Sequence, residues 1–96
     1  MWLIKFTKQA AKDAKTLKSA GLDTKAKTLI DIVRNDPFAT QPSYKRLVGN
    51  LSGLYSRRIS FQHRLVYEVI ADPIDEDGTT YEGVVKILRM WTHYNL

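Results

Sequence analysis

The spacing of apolar residues changes at mid-chain, and that change narrows the possible folds more than any single motif. In the first third, Ala26, Leu29, Ile30 and Val33 follow the i, i+3, i+4, i+7 rule, and Ala10, Ala14 and Leu17 form a shorter stripe of the same kind. From Tyr55 onward the pattern alternates instead. Leu65, Tyr67 and Val69 point to one side of an extended strand, and Arg64, Val66 and Glu68 to the other. Two one-sided helices followed by strands predict an α+β fold, with two N-terminal helices packed on one face of a small antiparallel sheet.

Local signals set the expected boundaries. Met1 to Phe6 reads as a short strand. Thr7 caps a helix over residues 8–20, and Gly21 ends it. Asp23 or Thr24 caps a second helix that runs to Asn35, where Asp36-Pro37 closes it. Residues 37–53 read as loop, with a short strand at Tyr44 to Val48. Tyr55–Ile59 and Arg64–Ile70 read as strands joined by a turn near Ser60–Gln62. Residues 72–83 are acidic and turn-rich, with Asp77-Gly78 the expected tight turn. Val84–Trp91 reads as the last strand, running out at Thr92-His93-Tyr94.

The 96 residues, 1–96, make one domain. A chain of this length buries about 60–65% of its unfolded surface, enough for one modest core. Cysteine is absent, which excludes disulfides and thiolate metal sites. No metal-ligand spacing or Gly-rich phosphate loop occurs, and no cofactor is expected. The first apolar run, Trp2-Leu3-Ile4, is too short for a secretory core or a membrane span, so the expectation is a cytoplasmic protein without membrane contact.

Charge is distributed unevenly. The net charge is +5, but residues 41–70 hold five Lys/Arg against Glu68 alone, while residues 71–96 are net negative. An arginine-dense, acid-poor middle third attracts polyanions. Its arginines flank strand ends, together with His63. Arginine offers a rigid fork of donors to a phosphate, and histidine moves protons near neutral pH. Set against this, an isolated Arg pair such as Arg57-Arg58 is more often a solvated pair than a clamp. His63 reads as structural, capping the turn or bonding backbone. Tyr55, Tyr67 and Trp91 read first as core or half-core, and the lysine stripe of the first helix as a wet face.

The runs Asn50-Leu51-Ser52-Gly53, Ser56-Arg57-Arg58-Ile59, His63-Arg64-Leu65-Val66-Tyr67 and Leu88-Arg89-Met90-Trp91-Thr92-His93-Tyr94 together closely resemble the YoeB/Txe family of bacterial toxins, in the RelE-like superfamily. The resemblance implies a microbial-ribonuclease-like α+β domain acting as a ribosome-dependent endoribonuclease, or mRNA interferase. Such a toxin cuts translated mRNA in the A site, forms homodimers in many cases, and is neutralised by a cognate antitoxin. It implies Arg64 as the phosphate-stabilising arginine, His93 as the general acid, and Tyr94 as the terminal aromatic of the site. Arg46, Arg57, Arg58, Arg89 and Trp91 are the candidates for binding RNA. One position departs from the family pattern: where the general-base glutamate is expected stands Lys45.

The implied reaction uses the substrate's own 2′-hydroxyl against the adjacent phosphate, leaving a 2′,3′-cyclic phosphate and a 5′-hydroxyl. It needs a base, cationic donors for the phosphorane, and an acid for the leaving oxygen. Using a lysine of ordinary pKa as a neutral base at pH 7 costs about 4–5 kcal/mol. Lys45 therefore acts either as a perturbed base or by stabilising charge, with Glu68 as the alternative base. Two other readings stand beside the enzyme: a catalytically weak toxin that blocks translation without cleavage, and a binding module whose basic cleft receives an acidic antitoxin segment.

Overall fold

The computed structural model describes residues 1–91; Thr92, the proposed acid His93, Tyr94 and the two residues after them lie outside the described residues. In chain order the elements are β1 (Leu3–Phe6), α1 (Lys8–Ser19), α2 (Asp23–Asn35), β2 (Tyr44–Arg46), a 3-10 turn (Gly49–Leu51), β3 (Leu54–Arg58), β4 (Arg64–Ile70), β5 (Ile74–Glu76), β6 (Thr79–Tyr81) and β7 (Val84–Arg89).

The two helices form where the apolar stripes predict them. Thr7 is the N-cap of α1: its Oγ1 accepts from Ala10 N at 3.0 Å and donates to Leu88 O at 3.1 Å, so the same hydroxyl starts the helix and ties it to β7. Gly21, at φ +74, lets the chain reverse, and Leu22 N returns to Leu17 O at 2.9 Å. The expected side-chain cap of α2 is not used. Leu22 occupies the cap position without a side-chain bond, and Asp23 is already helical. The turn closing α1 is too tight to leave an extended residue between the helices, so Asp23 acts through its charge in the first turn.

Ala26, Leu29, Ile30 and Val33 of α2 are all buried, with Ala10 and Leu17 of α1, against Ile59, Leu65, Tyr67, Val85, Ile87 and Met90. The five-stranded sheet runs β1-β7-β4-β3-β2. Its pairings are antiparallel except at one edge, where β1 lies parallel to β7 with Leu3 opposite Val84. The sheet is therefore mixed rather than wholly antiparallel. The whole chain from α1 to β6 serves as the crossover that a parallel pair requires.

Residues 72–83 contain a hairpin that the sequence reading treats as a connection. β5 and β6 pair around Asp77-Gly78, with φ of 51 and 80 at the two central positions, the left-handed pair that tight hairpin turns need. Gly83, just before β7, is required for a different reason: a Cβ there would lie 2.2 Å from Ile70 O and 2.7 Å from the Trp2 ring. No helix among the described residues is long and apolar enough to cross a membrane.

Candidate functional site

Strand register decides which of the charged residues meet. Lys45 of β2 stands opposite Ser56 of β3, Ser56 opposite Val66 of β4, and Arg58 opposite Arg64. Side chains alternate along each strand, so Lys45, Ser56, Arg58 and Arg64 share one face. They line a cleft of about 570 Å³ that also receives Phe61 from the β3–β4 turn, Pro42 and Ser43 from the loop before β2, and Lys25 from α2. Among the described residues, four cations and no carboxylate line it. Like charges directly opposite each other, as at Arg58 and Arg64, destabilise a sheet, and an anion between them reverses the sign of that effect.

Arg64 is held in place. Its Nη1 donates to Ser60 O at 2.9 Å, Phe61 O at 3.2 Å and His63 O at 3.3 Å, which fixes the guanidinium against the turn. Nε and Nη2 donate to no described residue. Arg58 and Lys45 are exposed.

The remaining sequence candidates among the described residues do not line the cleft. Arg57 lies on the other face of the sheet. It is 1% exposed and stands opposite Leu65, on the helix side of the sheet. Its Nε donates to Tyr67 Oη (3.0 Å), Nη1 to Pro42 O (2.6 Å), and Nη2 to Pro37 O (3.1 Å) and Ala39 O (2.7 Å); its guanidinium carbon lies 5.1 Å from the centre of the Tyr44 ring. Arg57 thus pins the loop after α2 to the sheet, with four of its five N–H donors bonded inside the protein and the side chain buried. Tyr67 completes the arrangement by donating to Pro37 O at 2.8 Å. Burial pushes its phenol up, outweighing the Arg57 guanidinium that pulls it down, so Tyr67 remains a donor at neutral pH. Tyr55 stacks on Tyr67, which agrees with the core reading of both rings.

Arg46 stands opposite Tyr55, so it projects from the face opposite to Lys45. Glu68 stands opposite Leu54 and Lys86, well along β4 from Arg64 and outside the cleft lining, which removes it as a neighbouring base. Trp91 stacks on His63 with ring centroids 4.0 Å apart and planes 16° from parallel.

Arg89 is engaged by Asp13, a residue of α1 that sequence reasoning missed. Asp13 is 3% exposed; its Oδ2 accepts from Arg89 Nε and from Met90 N, both at 2.9 Å, and its Oδ1 from Gln9 Nε2 at 3.0 Å. The available signal was an acid placed between Ala10 and Leu17 on the apolar stripe. Burial alone would raise its pKa, but the Met90 N–H, the Gln9 amide and the Arg89 guanidinium together hold it below the usual value of 3.8. A carboxylate with a depressed folded pKa contributes stability above its unfolded pKa and loses it as pH falls through the folded value. The wild-type urea midpoint is therefore expected to drop, as the pH falls below the usual carboxylate value of 3.8, by more than that of Asp13→Asn, which lacks this titration. Equal pH profiles for the two proteins would remove Asp13 from the account.

The fold and cleft define a class: a small basic α+β domain with a pocket whose described lining carries cations and no acid. Residues 6–94 match the profile of the YoeB-like toxin of bacterial type II toxin-antitoxin systems. The chain is 44% identical over 50 residues to Toxin YoeB of Escherichia coli K12, covering 52% of this chain and 60% of that protein. It is 42% identical over 57 residues to Toxin YoeB of Synechocystis, covering 59% of each. The matched segments thus span about 60% of the length of these curated relatives. Among solved structures, a YoeB/ParE toxin from Agrobacterium tumefaciens superposes with a TM-score of 0.76 at 26% identity, over 96% of this chain and 99% of that one. The YoeB dimer from Staphylococcus aureus superposes with a TM-score of 0.71 at 31% identity, over 97% and 98%. A heterotetrameric YoeB–YefM toxin–antitoxin complex from the same organism gives 0.71 at 29% identity, over 98% and 99%. The chain belongs to the YoeB-like toxin family.

Proposed function

We propose that this protein is an endoribonuclease toxin that cleaves translated mRNA in the ribosomal A site and is held inactive by a cognate antitoxin. The observation that carries the reading is the cleft in which Arg64, Arg58, Lys45 and Lys25 converge with no carboxylate among them. Such a pocket suits a phosphodiester flanked by further phosphates. The YoeB–YefM complex and the YoeB dimer from Staphylococcus aureus support an antitoxin partner and a homodimer for this chain as well.

In the proposed reaction the 2′-hydroxyl attacks the adjacent phosphorus and the 5′-oxygen leaves. Arg64, with Nη1 anchored on the turn, directs its other nitrogens to the phosphorane oxygens, an orientation set before substrate arrives. Arg58 and Lys25 neutralise flanking phosphates. His93 gives its proton to the leaving oxygen, and Tyr94 stacks on a neighbouring base. Lys45 lies in the cleft at the position of the family's base and stabilises the developing charge, with slow proton abstraction in its neutral form.

The lack of a carboxylate among the described lining residues favours one further reading, a toxin that occupies the A site and cuts feebly. Primer extension on programmed ribosomes separates the two. Cleavage at A-site codons leaving 5′-hydroxyl ends is expected for the wild type, with Lys45→Ala slower and Lys45→Glu faster because it restores a base of low pKa. Translation arrest without new RNA ends would make the protein a blocker. An unchanged rate in Lys45→Ala would remove Lys45 from the chemistry.

A further inference from the structure

The geometry points to Phe61 as a stacking platform for a nucleobase of the bound RNA strand, one nucleotide's reach from the phosphate held by Arg64. This rests on the ribonuclease reading and says how the substrate is gripped. Phe61 is 83% exposed, more than any other large hydrophobic residue described. It does not sit in a loose segment. Ile59 N and Ser60 N donate to His63 O at 2.9 and 3.2 Å, and His63 N donates to Ser60 Oγ at 3.2 Å. The turn is therefore closed by its own hydrogen bonds while an apolar ring projects into water, an arrangement that gains by covering the ring.

Two observations favour a base as the cover. The ring lines the cleft beside Arg58, Arg64 and Lys45, where the surroundings attract a polyanion. In addition, Arg64 Nη1 is bonded to the carbonyl of Phe61 itself, at 3.2 Å. Guanidinium and ring are thus separated by about one residue's span, as phosphate and base are within one nucleotide. Single-stranded RNA offers both groups at that spacing in every unit, and stacking on an aromatic side chain tolerates any base.

Single-turnover cleavage on programmed ribosomes tests the assignment, using wild type, Phe61→Ala, Phe61→Leu and Phe61→Trp. An exposed side chain should be replaceable without loss of thermal stability, so all four proteins are comparable. Phe61→Ala and Phe61→Leu are expected to lower kcat/KM by about 5- to 150-fold, while Phe61→Trp retains it. An mRNA with an abasic site at the contacted position should slow the wild type by a similar factor and Phe61→Ala no further. Wild-type rates for Phe61→Ala, or equal losses from the abasic site in both proteins, would overturn the assignment. So would a variant that cleaves normally but loses antitoxin binding, which would give the ring to a protein partner. A wild type that cuts no RNA would instead overturn the ribonuclease reading beneath it.

Discussion

Arg57→Ala is expected to lower the unfolding free energy by about 3–4 kcal/mol, a large part of the roughly 5–15 kcal/mol that holds a domain of this kind together. The argument is one of satisfied groups. The Arg57 guanidinium makes four hydrogen bonds, to Tyr67 Oη and to the carbonyls of Pro37, Ala39 and Pro42, and it packs over Tyr44. Alanine leaves the Ala39 and Pro42 carbonyls without this donor and opens a cavity where one of the largest fully buried side chains stood. Pro37 O keeps Tyr67. Arg57→Lys should recover about half of the loss, since an ammonium has donors but no planar fork to reach three separate carbonyls. Urea midpoints measure the series. A shift below about 1 kcal/mol together with a loss of RNA affinity would return Arg57 to the substrate.

Arg64→Ala is expected to reduce A-site cleavage by about 10²–10³-fold, the usual cost of removing one preorganised donor from a developing oxyanion. Part of the side chain is structural, because Nη1 ties together the turn carbonyls of Ser60, Phe61 and His63. Thermal unfolding of the variant must therefore be measured beside its rate, with a loss of about 1 kcal/mol allowed for those bonds. Arg58→Ala provides the contrast. That residue is exposed and reaches the cleft as a charge, so its loss should weaken binding and reduce the salt dependence by about one phosphate contact. If Arg64→Ala behaves like Arg58→Ala, losing affinity but no maximal rate, the catalytic role assigned to Arg64 fails. The two arginines of the Arg57-Arg58 pair thus have separate fates, one spent inside the protein and one presented to the cleft.

That separation shows where a sequence reading stops. Helical spacing located α1 and α2 and named every buried residue of α2, because a helix face is decided by neighbours three and four residues away. Alternation put Leu65 and Tyr67 inward for the same local reason. The Asp77-Gly78 turn was legible because two successive left-handed residues demand those side chains, although the strands it joins were read as loop. The parallel pairing of β1 with β7 left no trace in either segment alone, since a partner some eighty residues away is chosen by the packing of everything between.

The site was legible by residue type and misread by direction. Lys45, Arg58 and Arg64 were candidates and do converge. Lys25 and Phe61 were passed over: a lysine on the wet face of α2 resembles any other, and an exposed turn aromatic carries no periodic signal. Composition, charge clustering and local periodicity determined that this would be a basic α+β domain with an arginine-rich middle third. Only the tertiary structure decided that Arg57 turns in toward Pro37 while Arg58 turns out, that Asp13 holds Arg89, and that α2 brings Lys25 to the cleft. Those outcomes depend on strand register and on which loop covers which face, and such long-range contacts are settled by packing rather than by any stretch of neighbouring residues.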